Sequence, residues 1–256
     1  MSVIIDIFEQ CINAIRDGVL IRQMSRSDKE FHFQNWFRDR LNAIAVNFDP
    51  PGRNSYPDFT LVRHTEGYEI KGLAWPGREA SYDCNSQVPT GFHNGRDIYY
   101  VFGRYPANAG TEYPVIDLVI CHGDFLNANH DYIHRNRHVR GFGSYGDIMI
   151  RDRKMYVAPT PFAVADGLTG MKPLILPADT NVDRRRLRQV GILNRAECAE
   201  IVVGYSFDLT NNEIETERIL NPNAGTIHNF IAYRHISDTT AGVSLRANVI
   251  TDDNDE

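Results

Sequence analysis

The sequence predicts an α/β (α+β) fold: a central mixed β-sheet flanked by helices, with an irregular C-terminal half. Three observations predict it. Helical periodicity fills the N-terminal stretch as far as Ile44. Two apolar, β-prone runs, 97–102 and 115–121, have the character of strands buried on both faces. Beyond residue 127 the pattern weakens into short runs separated by Pro159, Pro161, Pro173 and Pro177. Helices, then strands, then a mixed tail is the order of an α/β sheet protein.

Each element has its own signal. Ile4, Phe8, Cys11, Ile12 and Ile15 recur at three- and four-residue steps and predict an amphipathic helix over 4–21. A second helix follows, with Ser27 or Asp28 as its cap and Phe33, Phe37, Leu41 and Ile44 as its apolar stripe. It ends before the break at Asp49-Pro50-Pro51-Gly52. Residues 56–62 and 68–71 read as two strands joined by Arg63-His64-Thr65-Glu66-Gly67, a hairpin connection ending in glycine. The polar stretch 81–94 reads as a long loop. Short strands are expected near 147–150 and 154–157, a helix near 194–202, and an acidic, frayed tail over 251–256.

Composition bounds the function. The 256 residues are 42% hydrophobic and 11% aromatic, which permits a sizeable core and excludes a disordered chain. A net charge of −6 excludes nucleic-acid binding by overall charge, leaving local basic clusters or metal ions that offset carboxylates. No apolar run reaches the roughly 20 residues of a membrane helix. The start, Met1-Ser2-Val3-Ile4-Ile5-Asp6, lacks a basic stretch and a small-residue cleavage site, so no secretory signal is expected. Cys11, Cys84, Cys121 and Cys198 are scattered without a CxxC pair, which fits reduced thiols in a cytosolic protein.

The chemistry concentrates on the hairpin. Pro57-Asp58 opens one strand and Glu69-Ile70-Lys71 lies on the next. Strand side chains alternate, so Glu69 and Lys71 share a face while Ile70 takes the other. The hairpin connection places Asp58 across from them. Two convergent carboxylates repel, which makes the spot attractive to a hard divalent cation such as Mg²⁺. The lysine can orient an attacking water and neutralise charge developing on phosphorus. The competing reading is a Pro-Asp turn beside a solvated Glu-x-Lys face. On the second helix, Glu30 lies within about 60° of the apolar stripe. An inward carboxylate there calls for pairing or a metal, whereas a first-turn glutamate favoured by the helix dipole needs neither.

A helix with an inward glutamate, then Pro57-Asp58 and Glu69-Ile70-Lys71 on successive strands, resembles the PD-(D/E)XK nuclease superfamily. Within it, a chain of this size resembles the type II restriction endonucleases. The resemblance covers residues 28–121. It implies a PD-(D/E)XK restriction-endonuclease-like core, Mg²⁺-dependent cleavage of double-stranded DNA leaving 5′-phosphate ends, and a homodimer reading a symmetric site. It implies Asp58 and Glu69 as metal ligands, the Ile70 carbonyl as a further ligand, Lys71 as the catalytic lysine and Glu30 as the auxiliary carboxylate. The expected organisation is one domain over 1–256, with a catalytic core at 28–126 and a DNA-recognition elaboration at 127–250. The three central positions fit the family pattern without substitution. The stretch Gly72-Leu73-Ala74-Trp75-Pro76-Gly77-Arg78 has an odd length for the loop expected there.

Candidate DNA contacts follow from charge and position. Arg78, Asn85 and Gln87 lie on the stretch after the catalytic strand and can hold backbone or reach base edges, or form a plain surface loop. Arg135, Arg137 and Arg140 lie in one basic run, and Arg184, Arg185, Arg186 and Arg188 in a second. Such clusters neutralise phosphates or contact guanine, or form solvated faces balanced by Asp179, Asp183 and Glu197. No zinc-hydrolase ligand set stands out: His134 and His138 are spaced i, i+4, but in a run whose arginines repel a cation. Gly141-Phe142-Gly143-Ser144-Tyr145-Gly146 spells GxGxxG without a preceding strand, so a mobile glycine loop is expected there and no nucleotide cofactor. The alternatives to a restriction enzyme are a repair or junction-resolving nuclease on the same core, and a DNA- or partner-binding module without catalysis. The first helix, outside the assigned core, is the candidate dimer surface.

Overall fold

The computed structural model describes residues 2–23, 29–49, 55–85, 87–108, 110–130, 132, 135, 143–152, 155–238 and 246–247. For Lys29, Glu30, Asp152, Met155, Arg246 and Ala247 it describes the backbone alone. Helix α1 (Ile4–Arg16) is shorter than its periodicity predicts. Gly18, with φ +71°, adopts the left-handed conformation that ends helices, and Val19 N donates back to Ala14 O at 2.9 Å. The released chain makes the two-residue strand β1 (Ile21–Arg22). Helix α2 (Lys29–Ala43) carries the expected stripe, with Phe33, Phe37 and Leu41 fully buried. Its expected caps, Ser27 and Asp28, lie outside the described residues.

The middle of the chain is nearly all strand. It runs β2 (Phe48–Asp49), β3 (Phe59–Leu61), β4 (Glu66–Trp75), β5 (Ser81–Asn85), β6 (Phe92–His93), β7 (Arg96–Pro106), β8 (Glu112–Tyr113) and β9 (Asp117–His122), then a 3₁₀ turn at Gly123–Phe125. Two expectations fail here, the second in part. The stretch 72–78 is not a loop, because β4 continues to Trp75. Of 81–94, residues 81–85 are strand β5 and 92–93 strand β6, while 87–91 are irregular as expected. In β5, Tyr82 and Cys84 are buried while Ser81 and Asn85 are exposed, a strand alternation hidden by polar composition.

Among the described residues the second half is irregular over 126–148, as expected, but carries regular strands from Met149 on. It contains β10 (Met149–Asp152), β11 (Met155–Pro159), a single helical turn α3 (Pro161–Val164), β12 (Ala165–Asp166), β13 (Leu174–Pro177), β14 (Leu187–Ala196), β15 (Glu200–Asp208), β16 (Glu213–Leu220), β17 (Ile227–His235) and β18 (Arg246–Ala247). The helix expected near 194–202 is the end of β14 and the start of β15. Its Ala and Glu content suits a helix, but Ile201 and Val203 alternate inward and β16 pairs alongside, so tertiary pairing overrides local preference. The glycine stretch is packed where described: Ser144 and Tyr145 are buried, and Ser144 N donates to Asn127 Oδ1 at 2.6 Å.

Among the described residues nine strands form one mixed central sheet, in the order β14-β17-β13-β9-β7-β4-β3-β2, with β6 added beside β7. Strand β4 runs parallel to β7, and β7 antiparallel to β9. All six residues of β9 are buried, as its apolar run predicts. Arg104 of β7 donates to Asp117 of β9 at 2.7 Å, pairing two charges inside the sheet. Among the described residues the two long helices cover one face. There α1 and α2 pack on Tyr68, Ile70, Tyr99 and Val101, and Phe33 presses so close to Gly103 that a side chain would not fit. The other face, where flanking helices were expected, is covered by the sheet β10-β11-β5 through Tyr82, Tyr156 and Ala158. The apolar face of α1 is therefore spent inside the chain, which leaves the proposed dimer surface without its apolar seam. Among the described residues no helix is long and apolar enough to cross a membrane.

Candidate active site

The ladder between β3 and β4 sets the site. Phe59 pairs with Tyr68 and Thr60 with Gly67, which brings Asp58 opposite Glu69. Gly67 is obligatory at this approach: a Cβ there would meet Pro57 Cγ at 2.6 Å and Ile98 Cδ1 at 3.0 Å. Pro57-Asp58 thus rests directly on β4. Ile70 N donates to Asp58 Oδ2 at 2.8 Å, and Asp58 N donates to Glu69 Oε2 at 3.2 Å. Lys71 Nζ stands 2.8 Å from Glu69 Oε1, with both side chains only 12% and 13% exposed. The structure therefore brings Asp58, Glu69 and Lys71 together on one edge of β4. Ile70 points into the helix-side core, as alternation requires. A strand residue presents its N–H and C=O to the same edge, so the Ile70 carbonyl is turned toward Asp58 as well.

The floor is aromatic. Glu69 neighbours Tyr100 and Lys71 neighbours Phe102 across the parallel ladder. Tyr56 and Tyr100 share a hydroxyl–hydroxyl hydrogen bond of 2.7 Å. Burial, reinforced by the Glu69 charge, pushes the Tyr56 hydroxyl far above its ordinary range. Burial likewise pushes the Cys84 thiol up to about 12, so this cysteine stays protonated at neutral pH and is no nucleophile. A low-dielectric floor under two carboxylates and one ammonium strengthens every charge interaction above it.

Beside Lys71 opens a cleft of ≈ 340 Å³, lined by Arg78, Ser81, Asp83 and Arg151 among others. Arg78 reaches it from the tight turn after β4, where Arg78 N donates to Ala74 O at 3.0 Å. Arg151, paired with Asp83, enters from β10. Sequence reasoning did not single out Arg151 or Asp83. The alternation of β5 was the available signal, since it sends Asp83 to the face opposite Tyr82 and Cys84.

The other expected contacts scatter. Asn85 ends β5 with φ +52°, and Gln87 is held by its own turn, its N donating to Cys84 O at 3.1 Å. Arg135 pairs with Glu217 of β16 at 2.6 Å. Arg137 and Arg140 lie outside the described residues, as does the side chain of Glu30, the second residue of α2. In the second basic run Arg185 pairs with Asp183, and Arg186 grips Asp6 and Glu9 of α1 at 2.8 and 2.5 Å. Arg184 is exposed in the preceding turn and Arg188 on β14. Strand β14 stands five strand positions from β4, roughly 24 Å. The structure does not bring that run to Asp58; Arg186 instead ties α1 to the far edge of the sheet.

Comparison with protein-family models, with curated proteins and with solved structures finds no match to this chain.

Proposed function

We propose that the protein is a Mg²⁺-dependent endonuclease acting on double-stranded DNA, of the type II restriction kind, and that it works as a homodimer. The convergence of Asp58, Glu69 and Lys71 on one edge of β4 carries this reading. The donors fit Mg²⁺: two carboxylates and a main-chain carbonyl are hard oxygens. Asp58, Glu69 and the Ile70 carbonyl would hold the ion. Mg²⁺ there would supply charge neutralisation at the scissile phosphate and a more acidic bound water.

The chain's own groups do the rest. Glu69 fixes the Lys71 ammonium at 2.8 Å, so that its donors meet a phosphate without prior reordering. Arg78 and Arg151, beside Lys71 in the cleft, are placed to grip flanking phosphates. Hydrolysis by an in-line water leaves a 5′-phosphate and a 3′-hydroxyl. The described crossover from β4 to β7 holds β5 and β6 and no helix, a departure from the helix-flanked sheet that the resemblance implies.

The test is incubation of the protein with phage-sized DNA, with and without Mg²⁺, followed by gel electrophoresis. Discrete Mg²⁺-dependent bands are expected. A smear assigns the same site to a nonspecific or structure-selective nuclease of the repair kind. Intact DNA from several unmethylated genomes overturns the reading in favour of a binding module.

A further inference from the structure

Away from the hairpin, three residues that no short motif connects meet at one point. His130 follows the 3₁₀ turn after β9, Glu197 lies between β14 and β15, and His228 is the second residue of β17. The Nε2 atoms of His130 and His228 each lie 2.6 Å from the same oxygen, Glu197 Oε1. The Glu197 side chain is 0% exposed, while the imidazoles keep 28% and 26%. Asn221 Nδ2 donates to the other carboxylate oxygen at 3.0 Å. The donor atoms all lie within 4.8 Å of one another.

The surroundings hold these groups in place. Glu197 N donates to Thr226 O at 2.9 Å, and Gly225 N donates to Glu197 O at 3.1 Å, fixing the backbone on both sides of the carboxylate. Tyr145 meets the His228 ring edge-on at 5.9 Å, and Tyr132 meets His130 likewise at 5.7 Å. Arg195, paired with Asp147, stacks 4.3 Å from the Tyr145 ring and so backs the same wall.

We propose that His130, Glu197 and His228 bind one transition-metal dication, Zn²⁺ by preference, with a coordination position left open. Imidazole nitrogens suit Zn²⁺ and disfavour Mg²⁺. Two histidines and one carboxylate, with water as the fourth ligand, is a donor set of catalytic rather than structural zinc. Bond lengths of roughly 2.0 to 2.2 Å ask the two rings to draw back from Oε1 by less than about 1 Å. Binding exchanges two N–H···O hydrogen bonds for two nitrogen–metal bonds and one oxygen–metal bond. Each neutral ring then carries its proton on Nδ1, and Asn221 orients the carboxylate from behind. His228 also lines a cleft of ≈ 660 Å³ with His122, Asp124 and Asp179, which gives an ion and its water a path from solvent. This site is independent of the nuclease reading. His228 alternates with Phe230 and Ala232, in the core beneath Glu69 and Lys71, but four strand positions away, roughly 19 Å.

The test is a Co²⁺ titration of the EDTA-stripped chain, followed by visible absorption, and then displacement by Zn²⁺. One tight equivalent per chain, with the intense bands of low-coordinate Co²⁺ and displacement by Zn²⁺ but not by millimolar Mg²⁺, is expected; any Co²⁺ on the hairpin carboxylates is weaker and is displaced by Mg²⁺. Affinity of that tight equivalent falls at least roughly 100-fold in Glu197→Gln, His130→Ala and His228→Ala and stays at the wild-type level in Arg186→Ala, whose partners Asp6 and Glu9 lie in neither centre. Circular dichroism identifies the variants that keep the fold, and those decide. A wild-type chain that takes up no Co²⁺ or Zn²⁺ overturns the proposal, as do folded ligand variants that bind as tightly as wild type. The three residues are then a hydrogen-bonded triad only.

Discussion

The two polar centres of this molecule are built in opposite ways. The hairpin centre draws Asp58, Glu69 and Lys71 from fourteen consecutive residues and holds them by one strand ladder. The histidine centre draws His130, Glu197 and His228 from three separate segments, joined only once β9, β14 and β17 have entered the sheet. Their chemistry differs in the same sense. The first offers hard oxygens and a lysine, the second two imidazoles around one buried carboxylate. One chain can thus present a Mg²⁺-type and a Zn²⁺-type donor set on one sheet. Local construction makes the first centre depend on the hairpin's geometry, whereas the second depends on the whole fold.

The largest effect that would separate the centres is Asp58→Ala. Cleavage falls roughly 10³-fold, while a gel shift without metal finds DNA affinity kept. Loss of the tight, Mg²⁺-resistant Co²⁺ equivalent in the same variant would merge the two centres into one. Next comes Gly67→Ala, whose methyl displaces Pro57 and with it Asp58. The expected cost is roughly 10²-fold in cleavage and about 1–3 kcal/mol of stability, read by kinetics and urea unfolding. Normal activity would mean that the β3–β4 contact does not position the carboxylate.

Smaller effects sharpen the contrast. His228→Ala leaves the buried Glu197 with one imidazole fewer, and should lower metal-free stability by about 1–3 kcal/mol in urea unfolding. An unchanged midpoint would show that Glu197 does not rely on it. Arg186→Ala removes half-exposed ion pairs to Asp6 and Glu9 and should cost at most about 1 kcal/mol, without changing DNA affinity or its salt dependence. A salt slope reduced by about one unit would return Arg186 to the DNA interface.

The same contrast explains what the sequence made legible. Helix stripes, the hairpin and the central strands 97–102 and 115–121 are local patterns of period 3.6 or 2, and each element exists there with shifted ends: α1 stops at Arg16, α2 before Ile44, and the hairpin strands are Phe59–Leu61 and Glu66–Trp75. Strand alternation alone places Glu69 and Lys71 on one face and Ile70 on the other. By contrast, β5 was hidden because its outward residues are polar, and β14 to β15 because alanine and glutamate favour a helix that pairing forbids. Counting arginines could not reveal that Arg186 is committed to α1. No spacing rule joins positions 130, 197 and 228, so a search for local zinc motifs passed over them.

The central claim is that the hairpin is the catalytic centre and Mg²⁺ its ion. Its most direct test strips the protein with EDTA, reloads it with Mg²⁺ alone or Zn²⁺ alone, and measures cleavage of one DNA by wild type and Lys71→Ala. Mg²⁺ alone should restore cleavage to wild type and not to Lys71→Ala. Full cleavage with Zn²⁺ alone, or a Lys71→Ala variant that cuts as fast as wild type, would contradict the account.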